Sequence, residues 1–247
     1  MKIFPKIRQE LMEKNKTGEY LKYAIGEIVL VVIGILIALS INNWNENRKE
    51  NIVEFKILQT LNNDLQTDIL NIKGMIKSDS LVIESNKQLI IVLKDNQSNY
   101  NSSIDTMFGR INRYDVFFPQ KDGYKFLNSK GLEILRNDNL KSEIVNLYDF
   151  QYALIAEIMD LKKQLYLNTN SIFNEYLETI SSDSKVKFSD SQLKKPNDFN
   201  ALKKNTRFMN HITHIHTEQI IHLNYAKAIL VKMESTSLKI EQEIAKG

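Results

Sequence analysis

The sequence predicts an all-α protein in which an N-terminal transmembrane helix is followed by an elongated antiparallel bundle of three to four helices. Three observations predict this class. Twelve uninterrupted apolar residues begin at Ile28, and three later segments repeat apolar residues at intervals of three and four. The 247 residues also include only 8 Gly and 3 Pro. Few Gly and Pro residues favour helices over the turn-rich all-β folds.

The predicted transmembrane helix covers residues 20–43 and is centred on the apolar run IVLVVIGILIAL at residues 28–39. At ~1.5 Å per residue the run alone is shorter than the ~30 Å hydrocarbon core, so the helix must recruit the residues before it. Tyr20, Tyr23 and Trp44 are the expected interface anchors. A membrane helix is favoured over a buried core helix, because soluble helices are rarely apolar on every side.

Basic residues are concentrated before the apolar run. Six Lys and Arg residues precede Ile28, whereas only Arg48, Lys49 and Lys56 follow the run closely. The positive-inside rule therefore places residues 1–19 in the cytoplasm and residues 44–247 in the periplasm. We expect an uncleaved signal anchor. The alternative is a cleaved signal peptide, since small residues at positions 38 and 40 resemble a cleavage site.

Residues 1–19 contain Phe4, Ile7 and Leu11 next to Lys6 and Arg8. This spacing is typical of a short amphipathic helix that lies on the inner leaflet, with its cations close to anionic lipids. A disordered basic tail is the alternative interpretation.

Three long helices are predicted in the exported part, over about residues 44–94, 139–180 and 206–245. Residues 104–137 form a connector rich in aromatic residues, which we expect to form one or two short helices that close the far end of the bundle. The polar segments 95–103 and 181–200 are predicted loops.

The predicted core faces follow heptad-like repeats. In the first helix they are Phe55, Leu58, Leu65, Ile69, Ile72, Ile76, Ile83, Ile90 and Leu93. In the second they are Leu140, Ile144, Leu147, Gln151, Leu154, Ile158, Leu161, Leu165, Asn168 and Ile172. In the third they are Phe208, Ile212, Ile215, Ala226, Leu230, Met233, Ile240 and Ile244.

The order of these helices also predicts a chain path. The first helix would lead away from the membrane, the second would return, and the third would lead away again. The C-terminus is therefore expected far from the bilayer.

Two segments carry a family resemblance. Residues 23–50, YAIGEIVLVVIGILIALSINNWNENRKE, closely resemble the N-terminal signature of a domain-of-unknown-function family common in Bacteroidota. Residues 124–150, YKFLNSKGLEILRNDNLKSEIVNLYDF, resemble its second landmark, in which an aromatic residue, a Ser/Gly step and a Leu/Ile run lead into a long helix. The resemblance implies a single-pass protein of the bacterial inner membrane. It brings no activity, ligand or functional residue with it.

Glu27 is the candidate functional residue within the membrane. The predicted span places its carboxylate inside the inner interface, where an ionisable group is costly. Three roles remain open: pairing with a partner helix, proton transfer in a transport or proton-driven complex, or a structural role in which the side chain extends to the headgroups or bonds Tyr23 one turn earlier.

A ridge of residues four apart, Gly26, Leu30, Gly34 and Ala38, is the candidate helix-packing face. Small residues at this spacing allow two membrane helices to approach closely. Besides the lipid bilayer, we therefore expect either a second copy of the chain or another membrane protein as the partner.

All four histidines lie in the third helix. His211, His214, Glu218 and His222 share one side of it, whereas His216 points elsewhere. Imidazoles three residues apart beside a carboxylate could bind zinc. The pattern lacks the HExxH spacing, so a solvated or packed polar face is favoured over a metal site.

The remaining observations exclude several classes of function. The absence of Cys excludes thiolate chemistry, and a net charge of +3 with scattered signs gives no nucleic-acid footprint. No nucleophile or nucleotide motif is present, so we expect no enzyme, no cofactor and no small-molecule ligand. The favoured function is a structural or protein-interaction module. The alternatives are a transport or proton-driven accessory subunit that uses Glu27, a ligand-binding or sensory bundle, and a His-dependent metalloprotein.

Overall fold

The computed structural model describes residues 17–113, 115–180 and 193–246, and it confirms the all-α class. The chain divides into two compact units, Met1–Glu54 and Phe55–Gly247. The predicted amphipathic segment at residues 1–19 lies almost entirely outside the described residues. The long helices are α1 (Thr17–Lys94), α5 (Tyr152–Tyr176) and α7 (Thr206–Ile244). The short helices are α2 (Asp105–Arg110), α3 (Asp122–Lys130), α4 (Asp138–Val145) and α6 (Phe199–Lys203).

Asn side chains set the start of two of these helices. The Asn137 side chain accepts a hydrogen bond from the Leu140 amide at the start of α4, and the Asn205 side chain accepts one from the Phe208 amide at the start of α7. Such caps satisfy amide groups that have no partner inside the helix. At the C-terminal end of α3, Gly131 adopts φ +89°, a backbone conformation that favours glycine.

The second unit is an antiparallel arrangement of four elements. α7 runs antiparallel to α1, because Asn62 bonds Glu241 and, farther along α1, Asn86 bonds Gln219. α5 runs parallel to α1, since Asp68 contacts Tyr152 and Asp79 contacts Lys162. The segment between α1 and α4 must therefore return along the bundle.

The connector makes that return, and the predicted chain path is wrong for this reason. The amide of Gly123 donates a hydrogen bond to Asp64, and the amide of Gln120 donates one to Asp68. Farther along α1, Asn86 donates a hydrogen bond to the Ile111 carbonyl. Residues 104–137 thus run antiparallel to α1 instead of closing one end. As a consequence, α7 ends beside Asn62, at the end where the chain enters the bundle, and not at the opposite end.

Phe117, Tyr124 and Leu127 of the connector are buried, whereas Phe118 is 75% exposed. The connector therefore fills the space between the long helices and contributes to the core along its length. Full burial of a side chain of this size stabilises a fold by about 1.5–3 kcal/mol.

The second long helix is interrupted by a π-helical segment, Asn146–Gln151, between α4 and α5. Leu140 and Ile144 before this segment and Leu147 within it are buried, as predicted. After this segment, most of the predicted core positions are wrong, because the buried residue is the next one along the chain. Leu161, for example, is 48% exposed, whereas Lys162 is buried. The buried residues there are Tyr152, Ile155, Ile158, Lys162, Thr169 and Phe173. A π turn holds one residue more than an α turn, which accounts for the shift.

On α1 the buried positions alternate three and four apart from Leu58 to Leu93, but some predicted members are wrong. Phe55 is exposed, and Ile76, Ile83 and Ile90 are only partly buried. The buried seam is Leu58, Leu61, Leu65, Asp68, Ile72, Met75, Asp79, Val82, Asn86, Leu89 and Leu93. Three members of this seam are polar.

The end of the bundle opposite Asn62 holds an apolar cluster in which Phe108, Phe173 and Phe208 are almost fully buried. Two short antiparallel strands lie next to it, β1 (Leu177–Ile180) and β2 (Leu193–Pro196). β1 replaces the last residues of the predicted second helix, and β2 lies in the predicted loop 181–200. Residues 181–192 of that loop are outside the described part of the chain.

Candidate functional site

The apolar part of α1 is exposed on all sides in the first unit. An 18-residue window of this helix has a mean hydropathy of 2.8 and none of it is buried. By length and composition, it is the one helix among the described residues that is suited to cross a membrane. Tyr23 and Trp44 are exposed near its two ends, and the Tyr20 side chain lies outside the described part.

The predicted packing ridge lies on this exposed surface. Leu30 is exposed, and no atom lies within 4 Å of where a Cβ would stand on Gly26 or Gly34. Ala38 is exposed as well. The described part of the chain therefore leaves this ridge open to lipid or to another helix. Glu27 is half-buried on the same helix.

A buried polar cluster joins the three long helices in the second unit. Both carboxylate oxygens of Asp79, on α1, accept hydrogen bonds from the Lys162 ammonium, on α5, at 3.1 and 2.8 Å. His222, on α7, is 7% exposed and interacts electrostatically with both groups. Each of the three residues occupies a seam position of its helix. We name this set the Asp79–Lys162–His222 cluster.

Burial dominates the protonation of this cluster. It raises the pKa of Asp79, against the lowering effect of Lys162 and His222. It lowers the pKa of His222, and the neighbouring Lys162 charge lowers it further. His222 Nδ1 is buried and has no hydrogen-bond partner among the described residues. The folded protein therefore favours a neutral imidazole.

A second polar contact lies farther along α1. The Asn86 amide donates to the Gln219 side chain at 2.8 Å and to the Ile111 carbonyl at 3.1 Å. Gln219 also donates to the same carbonyl at 3.3 Å. This network connects α1, the connector and α7. These hydrogen bonds satisfy polar groups that would be costly to bury alone.

The third polar contact surrounds Asp68. Its carboxylate accepts a hydrogen bond from the Tyr152 hydroxyl at 2.6 Å and from the Gln120 amide at 3.0 Å. Tyr148 stacks on Tyr124 with ring centroids 4.6 Å apart. Burial raises the pKa of Tyr148 and Tyr152, so both phenols stay protonated at neutral pH.

The histidines do not form one site. His214 is 57% exposed, and its Nδ1 lies 3.9 Å from Glu218 on the next turn. His222 instead faces the buried cluster, and His211 is partly buried. Within the described ranges no three His, Asp or Glu side chains lie close enough to bind a metal ion together. Thus His211, His214, Glu218 and His222 are not brought together as a metal site.

Three surface clefts, of about 250, 400 and 530 Å³, lie between the helices. The smallest is lined by residues of α4, α7 and the π segment, including Asn146, Lys232 and Lys239. Neither Asp79 nor Lys162 lines any of the three. The Asp79–Lys162–His222 cluster therefore does not line any of these three clefts.

The sequence analysis missed the polar seam because it counted only apolar residues on the first and third helices. The available signal was the spacing. Asp68, Asp79 and Asn86 complete an unbroken three-and-four repeat on α1, and Gln219 and His222 complete the same repeat on α7. A polar residue at a core position of one helix requires a polar partner on another.

A family model described as "Family of unknown function (DUF6090)" matches residues 27–220. The match begins in the apolar helix and includes Asp79, Lys162 and Gln219. No curated protein and no solved structure gives a significant match.

Proposed function

The chain belongs to the family of unknown function DUF6090, and from its structure we propose that it is a membrane-anchored helical bundle that acts as a structural or protein-interaction module without catalysis. In this proposal α1 crosses the bacterial inner membrane once, residues 1–19 lie in the cytoplasm, and residues 44–247 lie in the periplasm. The partner is a second copy of the chain or another membrane protein.

The observation that carries the proposal is the exposed apolar surface of α1. An exposed stretch with mean hydropathy 2.8 is too costly for contact with water, and its length suits a bilayer. The excess of basic residues before this stretch supports the proposed orientation. The small residues of the open ridge, Gly26 and Gly34, support close approach of a partner helix.

The bundle itself supports a structural role. The buried polar side chains of Asp68, Asp79 and Asn86 each bond to another element of the same bundle. We infer that these side chains hold the elements of the bundle together and take no part in catalysis. Turnover of any substrate that a single substitution in residues 55–246 abolishes would refute the non-catalytic role.

The natural absence of Cys makes the topology directly testable. A single Cys is introduced at Val231, which is exposed on α7, or at Lys14, before the apolar run. Intact spheroplasts are treated with a membrane-impermeant maleimide. We expect labelling of Val231→Cys without permeabilisation and of Lys14→Cys only after it. The reverse pattern would refute the orientation, and release of the unlabelled protein by alkaline carbonate would refute the anchor.

Partner identity follows from crosslinking in native membranes. A single Cys at Gly34 or Ala38 would form a disulfide-linked dimer on mild oxidation if the ridge pairs with a second copy. A Cys at Val32, exposed on another side of α1, is the matched control. Equal crosslinking at all three positions would remove the ridge from the proposal, and no crosslinked dimer at any of them would exclude a second copy as its partner.

A second candidate function is an accessory subunit of a transport or proton-driven complex. The observation that favours it is Glu27, the one charged residue between Lys22 and Glu46. A carboxylate within a membrane helix is costly and is often retained for pairing or proton transfer. Glu27→Gln removes the charge with little change of shape, and Glu46→Gln at the exposed end is its control. Unchanged complex assembly and proton flux in Glu27→Gln membranes would eliminate this candidate.

A further inference from the structure

The middle of the bundle contains a buried histidine next to a buried ion pair. In the Asp79–Lys162–His222 cluster the side-chain exposures are 8% for Asp79 and 4% for Lys162, and His222 is 7% exposed. The ordinary pKa of histidine is near 6.5, and burial lowers the pKa of His222 in the folded protein below that value.

We infer that the Asp79–Lys162–His222 cluster is a proton-binding site, and that protonation of His222 loosens the contact of α7 with α1 and α5. The cluster would thereby make the packing of the bundle responsive to the pH of the compartment that contains it. This inference concerns the bundle alone and does not depend on the proposed topology or partner.

The geometry explains why a proton is disruptive here. An imidazolium has two N–H donors, and both need acceptors when they are buried. Yet the Nδ1 atom of His222 has no hydrogen-bond partner among the described residues. Both oxygens of Asp79 already accept hydrogen bonds from Lys162, so this carboxylate is engaged. A second positive charge would then share the Asp79 carboxylate with Lys162.

The charges around His222 come from every neighbouring element. α1 supplies Asp79, α5 supplies Lys162, and the preceding turn of α7 supplies Glu218. The connector supplies Asp115, which acts on Asp79 and lies 3.5 Å from Arg113. Asp79 and Glu218 favour the imidazolium, whereas Lys162 and burial oppose it. Burial is the largest influence, so the balance favours the neutral ring.

The direction of the effect follows from linkage. The pKa of His222 is lower in the folded protein than its ordinary value of 6.5. Its contribution to stability is therefore complete above pH 6.5 and is lost as the pH falls toward the folded value. Within that window one proton is taken up on opening, which changes the opening equilibrium by up to about tenfold per pH unit. Asp79, whose pKa is raised in the folded protein, acts oppositely, in a window that extends upward from its ordinary pKa of 3.8.

The test is hydrogen exchange of the full chain in detergent at pH 7.5 and pH 5.5, with rates corrected for intrinsic pH dependence. In the wild type we expect the α7 amides around residues 219–226 to open about threefold to tenfold more often at pH 5.5. His222→Gln should lose this increase. His214→Gln, at an exposed position of the same helix, should retain it.

His216→Gln is the decisive second control, because burial also lowers the pKa of His216. If His216→Gln rather than His222→Gln removes the acid effect, the assignment to His222 is overturned. If His222→Gln does not fold, an NMR titration of the wild-type imidazole decides the matter. A His222 pKa below 6.5 supports the inference, and a value at or above 6.5 overturns it.

Discussion

Asp79 and Lys162 face each other inside the bundle, with Oδ2 of Asp79 2.8 Å from Nζ of Lys162 and both side chains almost fully buried. Asp79 lies on α1 and Lys162 lies on α5. The pair therefore joins two parallel helices that are separated in the sequence by the whole connector. Two charges in such a place depend on each other, since neither has water to replace its partner.

Removal of one member of this pair should be severely destabilising. Asp79→Leu leaves the Lys162 ammonium buried without its partner, and we expect the free energy of unfolding to fall by about 3–5 kcal/mol. Thermal or denaturant unfolding of the full chain in detergent, followed by circular dichroism, measures the loss.

The double variant Asp79→Leu/Lys162→Met tests the explanation. It removes both charges, so most of the lost stability should return. Glu234→Gln is the control, because it removes an exposed ion pair with Lys73. It should lower the free energy of unfolding by at most about 1 kcal/mol. A double variant as unstable as Asp79→Leu alone would contradict the role of the unpaired charge.

The sequence predicted the all-α class because apolar residues repeat at intervals of three and four over long segments, and it did not predict the polar cluster. On α1 an apolar count favours Ile76 and Ile83, although the buried positions are Met75 and Val82. The three-and-four repeat decides between these neighbours only if Asp79 is accepted as a core residue. That choice depends on Lys162, which lies 83 residues farther along the chain and which no local pattern reveals.

The chain path and the π segment could not be predicted from local sequence patterns either, because both depend on contacts between residues that are distant in the sequence. Residues 104–137 lack a long repeat, so they resembled an end cap, yet their contacts with Asp64 and Asp68 draw them along α1. Similarly, nothing in NLYDFQ at residues 146–151 marks a π turn. Only the burial of Tyr152 against Asp68 shows that the helix has gained one residue.

The π segment should tolerate the loss of one residue. Deletion of Phe150, which is exposed, would convert the π turn to an α turn and leave Tyr152 and Ile155 on the core face. We therefore expect the variant to fold, with a helical spectrum like that of the wild type and a melting temperature within several degrees of it.

Deletion of Leu161 is the matched control, since it also removes one exposed residue but from a regular helix. Every later residue of α5 then turns by about 100°, which moves Phe173 out of the core. We expect this variant to be far less stable than the Phe150 deletion. Equal stabilities would show that the π segment does not hold the extra residue.

Tyr152 should stabilise the ionised form of Asp68. Burial raises the pKa of Asp68, and the Tyr152 hydroxyl opposes this rise. Tyr152→Phe removes that bond and should cost about 1–3 kcal/mol at pH 7. It also raises the folded pKa of Asp68 further above 3.8, so the loss should shrink as the carboxyl is protonated in acid.

Unfolding of Tyr152→Phe at pH 7 and pH 4 measures this dependence. Tyr225→Phe, at an exposed position of α7, is the control and should change stability by less than about 0.5 kcal/mol at either pH. A Tyr152→Phe loss that is equal at both pH values would exclude the bond to ionised Asp68 as its cause.

Two glycines should respond to alanine with opposite signs. A Cβ on Gly123 would lie 2.6 Å from the Leu61 amide nitrogen and 2.8 Å from the Leu61 Cα, so Gly123→Ala must push α3 away from α1. We expect a loss of stability of about 1–3 kcal/mol, with weakening of the hydrogen bond from the Gly123 amide to Asp64.

Gly74 lies on α1 with nothing within 4 Å of its Cβ position. Gly74→Ala should therefore raise stability by about 0.5–1 kcal/mol through helix propensity alone. Thermal unfolding of the two variants side by side checks both signs, and a tolerated Gly123→Ala would refute the close contact of the connector with α1.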